Sequence, residues 1–279
     1  MTGSFRALSP RIGAQGVVDR ARILDPAFAS ECLEALERYG VVVFPRIELS
    51  DDEQLAFSAN LGEIIPLGPP RADGTRDPMF KVTLDPAKNW AAEYLRGTIH
   101  WHIDGATDDV PARATLLTAK QLSAEGGQTE FCNTYAAYDD LPAGEKPYYE
   151  SLKVLHSLEA ANRLMNSNPS EIDLARWRRG GSGKVHPLVW RHQSGRKSLV
   201  LGATVERFVG LSDKESRDLI AKVTEHTTRR EIVYRHEWQP GDLVIWDNCG
   251  TMHRVIPYDP MSGRMMHRTT LQGVEAIKL

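Results

Sequence analysis

Cysteine is scarce in this chain: Cys32, Cys132 and Cys249 are the only three in 279 residues, too few and too scattered for a disulfide framework or a zinc ribbon. Reduced thiols are expected, and with them a cytoplasmic protein. Nowhere do eighteen apolar residues run together, so a membrane-spanning helix is not expected. The opening MTGSFRALSPRIGAQGVVDR carries charges and glycines but no apolar stretch of the kind that directs export. Positive charge is not concentrated either: 34 Lys and Arg stand against 37 Asp and Glu, and no basic block offers a footprint for nucleic acid. Internal repeats are absent. What remains is a globular composition, 41% hydrophobic, in a chain long enough for one large buried core or two small ones.

Local patterns supply the elements. Apolar residues Phe28, Cys32, Leu33 and Leu36 recur at helical spacing in DPAFASECLEALERY, with Gly40 as the stop, and GVVVFP follows as a short buried strand. Ser50 with Glu53 three residues later is a capping box opening the helix DEQLAFSANLG. From about 66 to 100 the chain is rich in Pro, Gly and charge, with one strand at MFKVTL, and reads as a lid loop. The segments ARATLLTAKQL, GGQTEFCNT, EIVYRHEW, GDLVIWDN and RMMHRTTLQG read as strands, and VHPLVWRH with RKSLVLGA as a hairpin. Between about 142 and 184 lies a polar, partly helical excursion ending in the flexible run GGSGK, and LSDKESRDLIAKVTEHTT is a helix capped by Ser212. Many short strands with a few helices outside them predict a mainly β fold with flanking helices, an antiparallel double sheet of the jelly-roll kind.

Chemistry concentrates in TIHWHID and WDNCGTMH. On a strand, His102 and Asp104 share a face, and His253 far downstream closes a set of two imidazoles and one carboxylate. That donor set suits non-haem Fe(II) with open positions for an oxidant and a cosubstrate. Because the set draws on both halves of the chain, residues 1–279 are read as one domain. A His-x-Asp triplet alone is weak, since such triplets occur by chance. Here it is followed in order by GGQT at 126–129 and by a C-terminal hairpin in which His253 ends one strand and Arg264, Met266 and Arg268 share a face of the next. Two arginines on an inward face need anions, from internal acids or from a ligand.

With these motifs the chain resembles the Fe(II)/2-oxoglutarate-dependent dioxygenases of the taurine dioxygenase and 2,4-dichlorophenoxyacetate dioxygenase family. The matching segments run from GVVVFPRIELSDDEQLAFSANLGE through HWHID, GGQTEFCNTYAAYDDLP and VHPLVWRHQSGRKSL to EIVYRHEWQPGDLVIWDN and MHRVIPYDPMSGRMMHRTTLQG. The resemblance implies a double-stranded β-helix using Fe(II), 2-oxoglutarate and O2 to hydroxylate a small molecule with release of succinate and CO2. It implies that His102, Asp104 and His253 ligate iron, that Thr129 and Arg264 hold the distal carboxylate of 2-oxoglutarate, and that Arg268 lies near the cosubstrate and reaches an anionic group of the substrate. Trp246 matches a residue near the cosubstrate pocket, and Thr98 and Leu158 match pocket-wall positions. A homo-oligomer is left open.

Departures from the family narrow the substrate. No histidine occurs between Gly62 and Asn89, where taurine dioxygenase uses one, so taurine-like sulfonate recognition is not expected. Leu158 and Ile103 make the pocket more apolar, which favours an aryl or alkyl carboxylate. Cys249 stands where the family commonly has an arginine. The intact Asp104 favours hydroxylation over halogenation and leaves desaturation or C–O cleavage open. His100 is the chief decoy ligand, and His156, His186, His192, His226, His236 and His267 are expected to be structural or surface residues. Two other readings stand beside the oxygenase: a non-catalytic jelly-roll sensor of 2-oxoglutarate or metal, and a zinc hydrolase, which lacks a general-base Glu beside the ligands.

Overall fold

The strand Leu243–Asp247 explains the architecture, because both of its faces are buried but against different partners. Leu243 and Ile245 pack with Phe28, Phe44 and Phe57, whereas Val244 and Trp246 pack with Val43, Phe131 and Met266. A period of two with apolar residues at both phases is what a sheet covered on both sides requires. In this computed structural model, which describes residues 5–180 and 183–279, that strand lies in a seven-stranded sheet. Its order is Phe5–Ala7, Ala14–Gly16, Val41–Phe44, Leu243–Asp247, Ala114–Gln121, Met265–Thr270 and Phe80–Val82. The helices Pro26–Tyr39 and Asp51–Leu61 cover its outer face, with Phe28, Phe44 and Phe57 fully buried between them. Each such ring contributes roughly 1.5–3 kcal/mol by leaving water.

Against the inner face lies a second antiparallel sheet, in which Thr129–Asn133 pairs with Val233–His236 on one side and Thr251–Val255 on the other. The two sheets enclose the space that Phe131, Trp246 and Met266 partly fill, so the fold is a double-stranded β-helix, mainly β with flanking helices, as expected. Among the described residues no helix is long and apolar enough to cross a membrane.

The Ser50 and Ser212 caps are as predicted, both in full capping boxes, and Asp25 caps the first helix through its side chain as well. Three expectations change. TIHWHID is not a strand; His102 makes a single bridge to His253, and the chain turns immediately at Asp104. The excursion is not only helical, since Lys153–His156 inserts as a strand between Lys184–Pro187 and Val205–Phe208. That pairing also divides the expected hairpin, so only Val189–Arg191 pairs with Lys197–Leu199. Gly181 and Ser182 of the GGSGK run lie outside the described residues.

Candidate active site

The bridge between His102 and His253 is the geometric origin of the site. The two residues exchange both backbone hydrogen bonds, at 3.0 and 2.9 Å, which sets their rings 4.1 Å apart. His253 sits in the middle of Thr251–Val255, not at its end as the sequence suggested. The other side of the His102 segment is braced by Gly202, whose φ is +115° and where a Cβ would fall 2.9 Å from the His102 Cα, so no side chain fits. Ala203 N–H then donates to the Trp101 carbonyl at 2.7 Å.

Asp104 completes the set. Its Oδ1 lies 4.0 Å from His102 Nε2 and its Oδ2 4.0 Å from His253 Nε2, and His102, Asp104 and His253 are, among the described residues, the group of side chains able to hold a metal. The Nδ1 of His102 meets the His100 carbonyl at 2.8 Å, which selects the tautomer that turns Nε2 toward the site. His100 thus contributes its carbonyl, while its ring nitrogen Nε2 is buried without a partner elsewhere. Burial, then the charge of His102, pushes His253 well below the ordinary histidine range, so it is a neutral donor. Burial disfavours the Asp104 anion, but the charge of Arg268 and a 2.9 Å hydrogen bond from Thr115 oppose it and hold the carboxyl below its ordinary range. Two imidazoles and a carboxylate fit Fe(II).

Beside this triad the GGQT turn and the last strand build a cationic recess. Gly127 has φ of +80°, and a Cβ there would come within 2.9 Å of Arg264 Nε; its carbonyl accepts from Arg264 Nη2 at 3.0 Å. Arg264 is 3% exposed, lies 4.7 Å above the Tyr258 ring, and keeps a buried Nε without a hydrogen-bond partner. No carboxylate of the described residues lies within ion-pair distance of it, so the internal-acid explanation fails for this arginine. Thr129 is buried beside it on the same cleft, and its Oγ1 accepts from Trp238 Nε1 at 3.0 Å. An indole N–H can only donate, so the Thr129 proton is left to point elsewhere. Trp246 lines the cleft too, with its ring 4.7 Å from that of His253.

Arg268 separates this cleft from a second cavity of about 160 Å³, and His102 and Thr98 line both. The Arg268 guanidinium sits 4.9 Å above Phe80 and 4.0 Å from Asp104, and its Nε is again buried without a partner. The cavity wall takes Leu95 and Thr98 from the first loop and Leu158, Met165 and Trp177 from the excursion. At its mouth Arg176 meets Glu93 at 3.3 Å, linking the two segments. All nine side chains singled out from sequence therefore converge on two adjoining cavities. Thr115, Trp238, Tyr258, Met165 and Trp177 were not singled out, and none of them carries a sequence motif that marks it.

The sequence model of the taurine catabolism dioxygenase TauD, TfdA family matches residues 4–270. The chain belongs to that family. It is an Fe(II)- and 2-oxoglutarate-dependent dioxygenase, with O2 as the oxidant. It is 34% identical over 268 residues to the alpha-ketoglutarate-dependent 2,4-dichlorophenoxyacetate dioxygenase of Cupriavidus pinatubonensis, covering 91% of each chain. It is 33% identical to the alpha-ketoglutarate-dependent sulfate ester dioxygenase of Pseudomonas putida, covering 94% of this chain and 87% of that one. Among solved structures, AAD-2 in complex with Mn(II) and N-oxalylglycine superposes with a TM-score of 0.84 at 31% identity over 100% of both chains. These likenesses assign the dioxygenase to the enzymes and set aside the non-catalytic sensor.

Proposed function

We propose that this dioxygenase hydroxylates a small organic acid with an aryl or alkyl body. In this reading His102, Asp104 and His253 hold Fe(II), Thr129 and Arg264 hold the distal carboxylate of 2-oxoglutarate, and Arg268 receives the anionic group of the substrate. The supporting observation is two guanidinium groups with buried, orphaned Nε donors, Arg264 in the first cavity and Arg268 lining both, where the two cavities meet at His102. A guanidinium presents a planar fork that matches a carboxylate in two parallel charge-assisted bonds.

Bound at the triad, iron and 2-oxoglutarate supply O2-dependent oxidation of a C–H bond with release of succinate and CO2. The protein's part is placement. Arg264 and Thr129 fix one end of the cosubstrate, Trp246 shapes its wall, and Arg268 sets the distance of the substrate's anion from the triad. Leu158, Met165 and Trp177 exclude water from the body of the substrate, with Thr98 and Leu95 opposite. Relatives named for 2,4-dichlorophenoxyacetate and for (S)-phenoxypropionate support an aryloxy acid, and the lack of histidine between Gly62 and Asn89 weighs against a taurine-like sulfonate. Residues from about 66 to 100 serve as the lid and the 142–184 excursion as the opposing wall, within one catalytic unit. Free, non-bridged cysteines fit a cytoplasmic enzyme.

The test is succinate release by purified protein with Fe(II), ascorbate, 2-oxoglutarate and a panel of aryloxy and alkyl carboxylates and sulfate esters. Release is expected with an aryloxy or alkyl carboxylate, and His102→Ala is expected to abolish both release and metal binding. No release with any panel member, together with unchanged metal binding by His102→Ala, overturns the reading.

A further inference from the structure

Asp104 lies in a turn, without the sheet pairing that fixes His102 and His253, so something other than the backbone ladder must aim its carboxylate. A buried chain of three hydrogen bonds ends on it. Trp246 Nε1 donates to Asn248 Oδ1 at 2.9 Å, Asn248 Nδ2 donates to Thr115 Oγ1 at 3.0 Å, and Thr115 Oγ1 donates to Asp104 Oδ2 at 2.9 Å. Trp246 is 2% exposed, and Asn248 and Thr115 are fully buried.

The direction of every link follows from the first. An indole N–H has no acceptor, so the amide oxygen of Asn248 must face it and the amide NH₂ must face Thr115. That group only donates, so the Thr115 oxygen accepts and its single proton goes to Asp104. The backbone holds the chain in place: Thr115 is directly opposite Trp246 in the sheet, and Asn248 N–H donates to the Arg113 carbonyl at 3.0 Å. Thr115 is also β-branched, which stiffens its χ1.

We propose that Thr115 and Asn248 are positioning residues for the metal-binding carboxylate: by committing one lone pair of Oδ2, the chain stops Asp104 from rotating away from His102 and His253. This rests on Asp104 being a ligand, as proposed above. Neither residue lines the two cavities, so their effect reaches the site through Asp104. Outer hydrogen bonds of this kind commonly change metal affinity by about 10- to 100-fold.

The experiment titrates Mn(II) alone, by electron paramagnetic resonance of the free ion, into wild type, Thr115→Val, Thr115→Ser, Asn248→Asp and Asp104→Ala, with a thermal melt of each without metal. Thr115→Val keeps the shape and loses the hydroxyl; its Mn(II) affinity is expected to fall about 10- to 100-fold, with Thr115→Ser within about threefold of wild type. Asn248→Asp presents an acceptor to Thr115 and draws its proton away from Asp104, so a similar fall is expected; it decides the matter should Thr115→Val fail to fold. Wild-type-like binding by Thr115→Val while Asp104→Ala loses Mn(II) overturns the positioning role alone. Equal losses in Thr115→Val and Thr115→Ser also overturn it, since packing of the methyl would then be the cause. Unchanged binding by Asp104→Ala overturns the ligand assignment itself.

Discussion

Replacing Arg264 by Met separates the two consequences of burying a charge. In the free protein Arg264 is 3% exposed, with no acid of the described residues beside it and the Gly127 carbonyl at 3.0 Å and the Tyr258 side chain as its polar contacts; burial, partly offset by Tyr258, lowers its affinity for its proton. Arg264→Met removes a buried cation and conserves much of the apolar stem, so the unliganded variant is expected to melt at or above the wild-type temperature. Binding moves the other way. A bidentate charge-assisted pair with the distal carboxylate is worth about 3 kcal/mol, which is roughly 150-fold in affinity for 2-oxoglutarate. At a 2-oxoglutarate concentration near 100 times the wild-type Kd, ligand linkage stabilises wild type by about 2.7 kcal/mol and the variant by only about 0.3 kcal/mol. Thermal melts with Mn(II), with and without 2-oxoglutarate, read both effects in one assay, and succinate formation gives the parallel rise in KM. A variant that keeps most of the 2-oxoglutarate-dependent shift, or that loses stability without ligand, refutes the assignment of Arg264 as an anion clamp.

Trp238→Phe removes the 3.0 Å bond that commits Thr129 Oγ1 as an acceptor, and the freed hydroxyl then divides its proton among orientations. KM for 2-oxoglutarate is expected to rise about fivefold, the equivalent of roughly 1 kcal/mol, with Mn(II) affinity unchanged, as steady-state kinetics and metal titration would show. His156 is fully buried, and desolvation, then the charge of His186, brings it down to about 3. Because the unfolded chain protonates this ring near pH 6.5 and the folded chain does not, its contribution is complete above about pH 6.5 and is lost as pH falls toward 3. At pH 5 the loss is roughly 2 kcal/mol, and urea unfolding from pH 7 to pH 5 should show a shallower decline in His156→Gln than in wild type.

The parts of this protein that are legible from sequence are those with a local cause. Ser50 and Ser212 start helices through their own side chains, and VVVF and LVIW show sheet burial because both phases of the pattern are apolar. Ala14–Gly16 and Phe5–Ala7 carry no such signal, since three residues rich in Gly, Gln or Arg become strands only through the sheet edge that accepts them. The strand expected at TIHWHID fails for the same reason in reverse: its pattern suits a strand, but its partner supplies one bridge and then diverges. Site residues with charge or metal-binding capacity were visible as types in order. Thr115 and Trp238 were not, because a threonine inside a strand and a tryptophan beyond one become informative only when the hydrogen bond each makes is seen.

The His102–His253 bridge joins positions 151 residues apart, in a chain whose three cysteines are all free. A metal ion on those two rings is therefore a long-range crosslink in a protein without a covalent one. A disulfide over such a span persists in the denatured chain and stabilises by restricting it, whatever the surroundings. The histidine crosslink dissolves on unfolding, so its contribution is set by the ratio of free metal to Kd, at about 2.7 kcal/mol for a hundredfold excess and nothing when the metal is withdrawn. With His102 and His253 holding iron as proposed, iron supply would govern how long the folded enzyme survives as well as how fast it works.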